Sequence, residues 1–83
     1  MKVLVKLFAT LSDYLPPNAQ GNVVNLEVDE DESIGSIIER LRLPAKLVHL
    51  VLVNGIYVAP SERATQVLSD GDQLAIWPPI AGG

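Results

Sequence analysis

The sequence contains no cysteine and a single histidine, His49. Disulfides, chemistry on a thiol of its own, zinc fingers and iron–sulfur clusters are therefore excluded, and no metal site is expected. An 83-residue chain buries only about 60 to 65% of the surface its unfolded form exposes, so without staples it must rest on one small core. The lack of any oxidation-dependent link suits a reducing compartment, and a cytoplasmic address is the expectation. Basic residues are also scarce: six Lys and Arg stand against ten Asp and Glu, for a net charge of −4 and a pI near 4.6. Phosphate backbones need neutralising cations, so nucleic acid is not an expected partner. Long apolar runs are missing too. The longest, Leu47 to Val53, is interrupted by His49 and is far too short to cross a bilayer, so no membrane association is expected. The start, Met1 to Phe8, has the charge and apolar content of a signal peptide, but Lys6 and Asp13 break it and no small-residue cleavage site follows.

What the chain does have is a legible order of elements. From Lys2 to Phe8 the residues alternate, with Val3, Val5 and Leu7 on one face, predicting a strand with its odd-numbered side toward the core. Thr10 to Gly21 is rich in turn formers, with room for a helical turn over Leu11 to Leu15 before Pro16. Val24, Leu26 and Val28 alternate within a second strand, Asn22 to Asp29, suited to antiparallel pairing with the first. Ser33 is placed to cap a helix whose Ile34, Ile37, Ile38 and Leu41 form one apolar stripe. Five of the six residues from Glu27 to Glu32 are acidic, which places negative charge at the positive end of the helix dipole. The same run can be read as a solvated turn or as a docking patch for a basic surface. Arg40 and Arg42 complement the other end, and Pro44 predicts a stop near Leu43.

Leu47 to Val53 reads as a buried strand. Asn54-Gly55 then predicts a two-residue type I′ hairpin into Ile56 to Ala59, with Leu52 opposite Tyr57 and Val53 opposite Ile56. Pro60 to Ser69 is an irregular connection with a possible helical turn over Ala64 to Val67. Asp70-Gly71-Asp72 makes a tight turn, and Gln73 to Trp77 is a last strand that Pro78 ends. This order, β-β-α-β-β-β, predicts an α+β fold in which one main helix packs on one face of a mixed sheet of about five strands.

The uncovered face draws attention to the few aromatics. Phe8 shares the side of Lys2 and Lys6, Trp77 that of Gln73 and Ala75, and Tyr57 faces away from Ile56 and Val58. All three are expected on the exposed side, where clustered apolar groups mark a docking surface, unless a loop or the tail covers them. No catalytic constellation accompanies them. His49, on the side of Val51 and Val53, has no nucleophile or second ligand beside it and reads as a hydrogen-bonded structural residue. Asp70 and Asp72 are turn chemistry, and neither Asn54-Gly55 nor Asp70-Gly71 has the spacing of a phosphate-binding loop. The chain is expected to be acted on by enzymes rather than to be one.

The end of the sequence is the exception to this plainness. Pro78-Pro79 is a stiff lead into Ile80-Ala81-Gly82-Gly83, and paired glycines can thread a narrow channel closed to larger residues. Over Leu68-Ser69-Asp70-Gly71-Asp72-Gln73-Leu74-Ala75-Ile76-Trp77-Pro78-Pro79-Ile80-Ala81-Gly82-Gly83 the sequence resembles the MoaD/ThiS family of ubiquitin-like sulfur carriers. The Pro-Pro pair favours the MoaD side, the small subunit of molybdopterin synthase. The opening Val5-Lys6-Leu7-Phe8-Ala9, the Ser33-capped helix and Val53-Asn54-Gly55 extend the resemblance along the chain.

The resemblance implies a β-grasp domain over residues 1–79, its first and last strands adjacent and parallel at the sheet centre, with a flexible tail over 80–83. It implies that Phe8, Tyr57, Trp77, Pro78 and Pro79 contact partner enzymes while Ile80, Ala81 and Gly82 thread the tail into them. It also implies that an E1-like adenylating enzyme activates the Gly83 carboxylate with Mg-ATP. A sulfur donor then leaves a C-terminal thiocarboxylate, which the large subunit of molybdopterin synthase accepts. The chain itself would bind no cofactor. Similar carriers serve thiamine thiazole synthesis, amino-acid synthesis and tRNA thiolation. A ubiquitin-like modifier joined to lysines, or an interaction domain with an inert tail, are further readings of the same end.

Overall fold

The computed structural model describes residues 1–80. Five strands form one mixed sheet: β1 (Lys2–Leu7), β2 (Val23–Glu27), β3 (Leu50–Val53), β4 (Ile56–Tyr57) and β5 (Gln73–Trp77), in the order β2-β1-β5-β3-β4. Helix α1 (Ile34–Arg40) is the single α-helix among the described residues. β1 and β5, the first and last strands, are parallel neighbours at the centre, and every other pairing is antiparallel. This is the β-grasp arrangement that the resemblance implies. Of the expected tail, Ile80 alone is described; Ala81, Gly82 and Gly83 lie outside the described residues.

The alternation in β1 works as expected. Val3, Val5 and Leu7 are buried beneath α1, together with Leu74 and Ile76 of β5 and Val51 of β3. A seven-residue helix is about 10 Å long and too short to persist alone. It holds because Ile34 and Ile37 lose all contact with solvent, each burial being favourable by about 1.5 to 3 kcal/mol. Leu11 is buried as well, inside a 3₁₀ turn at Ala9–Tyr14, close to where a helical turn was expected. The Asn54-Gly55 hairpin has the predicted register, Leu52 opposite Tyr57 and Val53 opposite Ile56. Both turn residues have positive φ, 51° and 84°, as a type I′ turn requires.

Several expectations need correction. α1 ends at Arg40, not near Leu43, because Arg42 turns left-handed at φ 60°. The Arg42 N–H bonds the Glu39 carbonyl at 2.9 Å and the Leu43 N–H the Ile38 carbonyl at 3.1 Å, the paired closing bonds of a Schellman motif with arginine in the glycine position. Arg40 does not turn to the helix's last carbonyls. Its guanidinium reaches back to the Glu32 carboxylate at 3.2 Å and the Glu27 carbonyl at 2.8 Å, following the N-terminal tilt of helical side chains.

At the start of α1, Glu32 stands one residue before the Ser33 cap, as expected of the acidic run, and its carboxylate accepts from Ser36 Oγ at 3.2 Å. No acid lies within the first turn itself. The Ile34 and Gly35 N–H groups donate instead to the carbonyls of Gln66 and Arg63, at 2.9 and 2.7 Å, while Ser33 Oγ accepts from Ser36 at 3.1 Å as expected of the cap. β3 starts at Leu50, since Ala45–Leu47 forms a 3₁₀ turn. The helical turn expected over Ala64 to Val67 lies instead at Pro60–Glu62.

Candidate docking face and tail root

β1 and β5 run parallel with Leu4 beside Gln73, Lys6 beside Ala75 and Leu7 beside Ile76. The next step brings Phe8 beside Trp77, and the Phe8 N–H extends the ladder by donating to the Ile76 carbonyl at 3.1 Å. The two rings stack with centroids 4.1 Å apart and planes within 4°. Both are half-buried, because each shields one face of the other. Stacked aromatics contribute about 0.5 to 1.5 kcal/mol beyond their area. The pair therefore forms a rigid apolar plate on the side of the sheet opposite α1.

The cross-strand registers extend this plate. Leu50 lies opposite Trp77, Leu52 opposite Ala75, and Tyr57 opposite Leu52. Neighbouring strands stand about 4.8 Å apart and successive residues on one face about 7 Å apart. Leu52 and Tyr57 thus occupy the row beside the plate and carry it toward the β4 edge. Tyr57 is 56% exposed, as the sequence predicts. Its neighbour Ile56, expected to face the core, is 72% exposed. Val53 opposite it is buried, whereas Ile56 stands on the edge strand directly after the hairpin turn, with no neighbouring strand on its outer side.

Leu50 and Leu52 are face residues that the aromatic argument missed, whereas Leu4 follows from the alternation that sets Lys2, Lys6 and Phe8 on this side. The signal was present: with Leu52 paired to Tyr57 by the hairpin, Leu52 and Leu50 had to share its side.

The tail leaves from this plate. Leu50 pairs Trp77, and the Trp77 carbonyl accepts from the His49 N–H at 3.0 Å, so the last strand is held to its final residue. Proline has no N–H to continue the ladder, and a residue before proline is kept out of the helical region. Trp77-Pro78-Pro79 therefore runs on without folding back on itself. Pro79 is exposed and Ile80 is 81% exposed, which places the root of the tail at the same end of the sheet as the Phe8–Trp77 stack.

The polar candidates resolve into scaffolding. Asp70 Oδ1 accepts from the Lys2 N–H at 2.7 Å, and Asp72 accepts from Ser69 N–H at 2.8 Å and from Asn54 Nδ2 at 2.9 Å. Asn54 Oδ1 accepts in turn from the Gln73 N–H at 2.9 Å. The Asp70-Gly71-Asp72 turn thus ties the start of β1, the start of β5 and the β3–β4 hairpin into one register. His49 takes part through its backbone while its residue surface is exposed, so it does not share the burial of Val51 and Val53.

Arg63 is the residue the sequence hid. It is 9% exposed, and its guanidinium donates to the carbonyls of Val48, His49 and Val58 at 3.0 to 3.4 Å. It fastens the chain just before β3 to the chain just after β4. No group of three or more metal-ligating side chains occurs among the described residues. None of their helices is long and apolar enough to cross a membrane.

Known proteins match this description. Small archaeal modifier protein 3 of Haloferax volcanii is 27% identical over 96 aligned positions covering all of both chains. The crystal structure of SAMP1 from Haloferax volcanii superposes with a TM-score of 0.71 at 27% identity, again over all of both chains. A complex of subunits 1 and 2 of molybdopterin-converting factor from Helicobacter pylori contains the same fold, with a TM-score of 0.61, 18% identity and complete coverage of both chains. The Mut7-C ubiquitin family profile matches residues 1–81. With a β-grasp sheet and relatives among small archaeal modifier proteins, the chain belongs to the Mut7-C ubiquitin family of ubiquitin-like proteins.

Proposed function

We propose that this chain is a sulfur carrier whose chemistry takes place at the carboxylate of Gly83, while the open sheet face docks the enzymes that work on it. The observation that carries the reading is the stacked Phe8–Trp77 plate at the root of the tail. A face rigid to its last residue, followed at once by two prolines, suits a device that binds at one place and reacts at another. The six residues from Pro78 to Gly83 span at most about 21 Å when fully extended. A partner's reaction centre must therefore lie within that reach of its docking site.

The chemistry follows from the weakness of a carboxylate as an acyl donor. A Gly83 oxygen attacks the α-phosphorus of Mg-ATP in an E1-like enzyme, pyrophosphate leaves, and the acyl-adenylate carries AMP as a good leaving group. A sulfur donor adds to the carbonyl carbon and AMP departs with its bonding pair. Where the donor is a persulfide, a thiol then cleaves the acyl disulfide and frees the thiocarboxylate. Docking raises the effective concentration of that sulfur at the acceptor. The chain supplies position and a slender tail, and its partners supply the catalytic groups. The acceptor we favour is the large subunit of molybdopterin synthase, with the cytoplasm as the setting.

A second reading has its own support. Small archaeal modifier protein 3 and SAMP1 of Haloferax volcanii, each 27% identical, are named as modifiers, and attachment of Gly83 to lysines of other proteins would use the same adenylate. The two outcomes separate by mass, since a carrier exchanges oxygen for sulfur and a modifier adds its whole mass to a target.

The division of labour is tested with two variants and a purified E1-like enzyme. Trp77→Asp should weaken binding to the enzyme while leaving the domain folded, and deletion of Gly83 should leave binding intact while abolishing adenylation. The same defect in both variants would refute the separation of docking from chemistry.

A further inference from the structure

The open face carries one charge in the middle of its apolar side chains. Lys6 lies on the central strand β1, between Leu4 and Phe8 along the chain, beside Ala75 of β5 and Val23 of β2. It is half-buried, whereas Lys2, at the start of the strand, is exposed. Lys6 takes part in no ion pair among the described residues. Any protein that covers this face takes water from its ammonium group, and a desolvated ammonium without a counter-charge strongly opposes association.

The face does not hold that counter-charge. None of its positions on β1, β3, β4 or β5 is Asp or Glu. Its two acids stand at the far end and are already engaged: Glu27, on the edge strand β2, lies 3.6 Å from the Met1 amino group, and Asp70, in the turn before β5, accepts from the Lys2 N–H at 2.7 Å. A second copy docked face to face would therefore offer Lys6 no uncommitted carboxylate, so self-association is the wrong solution.

Resting on the reading that this face docks an enzyme, we propose that the occupant is a different protein chain whose apolar surface carries a carboxylate set against Lys6 Nζ. Lys6 is then the specificity-determining residue of the face. Ala75, the smallest side chain in the row, leaves space beside Lys6 through which that carboxylate approaches. The apolar plate would accept many greasy surfaces, and Lys6 rejects those without an acid in the right place. The acidic turn at Asp29 to Glu32 lies off this face and plays no part in the match.

The test measures calorimetric binding of the full chain to a purified E1-like adenylating enzyme from the same genome. The variants are Lys6→Met, Lys6→Arg, Lys6→Glu and the reference Trp77→Asp, each checked for native circular dichroism. Lys6→Met leaves the partner's carboxylate unpaired, so its affinity should fall by about 30-fold or more, Lys6→Glu should fall further, and Lys6→Arg should retain most of the affinity. Equal or tighter binding by Lys6→Met, the result for an acid-free partner surface, overturns the proposal. If Trp77→Asp binds as well as wild type, the docking face itself is refuted. If Trp77→Asp weakens binding while Lys6→Met does not, Lys6 alone loses its role.

Discussion

Replacing Arg63 by methionine should cost about 3 kcal/mol of stability, although the residue lies in a stretch with no recognisable motif. Methionine fills much of the same volume, so packing is largely kept and the guanidinium is the main loss. Three backbone carbonyls, those of Val48, His49 and Val58, receive four hydrogen bonds from it at 3.0 to 3.4 Å. Bonds from a charged donor contribute about 1.5 to 3 kcal/mol at good geometry, and these are long, so about 1 kcal/mol for each carbonyl is the fitting magnitude. No carboxylate pairs with Arg63 among the described residues, so no stranded counter-charge adds to the loss. In a domain of this size about 3 kcal/mol lowers Tm by about 12 to 24 °C. Urea unfolding followed by circular dichroism measures it, with an unchanged m-value as the sign that the denatured state is unaffected. Arg63→Lys should recover less than half, because one ammonium cannot reach carbonyls on both sides of the β3–β4 hairpin. A loss below about 1 kcal/mol for Arg63→Met would mean that water satisfies these carbonyls and that Arg63 does not hold the hairpin.

Two further substitutions probe the ends of α1. Gly35→Ala would ordinarily stabilise a helix by about 1 kcal/mol. Here its Cβ would come within 3.2 Å of the Arg63 carbonyl and 3.3 Å of Ala64 Cα, backbone held by the 2.7 Å bond to the Gly35 N–H. A net loss of about 1 kcal/mol is therefore expected in urea unfolding, and a gain would show that the 60s connection yields easily. Arg42→Gly should raise stability by about 0.5 to 1 kcal/mol, since glycine occupies φ 60° without the left-handed penalty and loses only part of that gain to its greater unfolded entropy. A destabilised Arg42→Gly would mean that the arginine side chain makes a contact worth more than the strain.

The parts of this fold legible in sequence are those written in short-range pattern. Alternation in Val3, Val5 and Leu7 placed the core side of β1, Asn54-Gly55 set the hairpin register, and Ser33 marked the start of α1. Phe8, Tyr57 and Trp77 followed from the same alternation, and the structure stacks two of them. What escaped depends on partners distant in the chain. Arg63 reads as a surface residue in a polar stretch until the β3–β4 hairpin folds over it. The helix stop at Arg42 lacks the glycine that normally announces a left-handed cap. Ile56 alternates correctly but stands at the sheet edge directly after the hairpin turn, where only β3 adjoins it. Arg40, expected to serve the helix dipole, is drawn to Glu32 and the end of β2. Lys6 was visible as one of the polar positions of β1; only the registers of β2 and β5 show that it stands among apolar neighbours.

The central claim is that Gly83 is a chemical end which accepts sulfur after adenylation. Incubating the purified protein with an E1-like enzyme, Mg-ATP and a sulfur donor, then measuring its intact mass, tests this most directly. The predicted result is exchange of one terminal oxygen for sulfur, dependent on ATP and absent when Gly83 is deleted. An unchanged mass with enzymes that adenylate related carriers, or a mass change that survives deletion of Gly83, would contradict it.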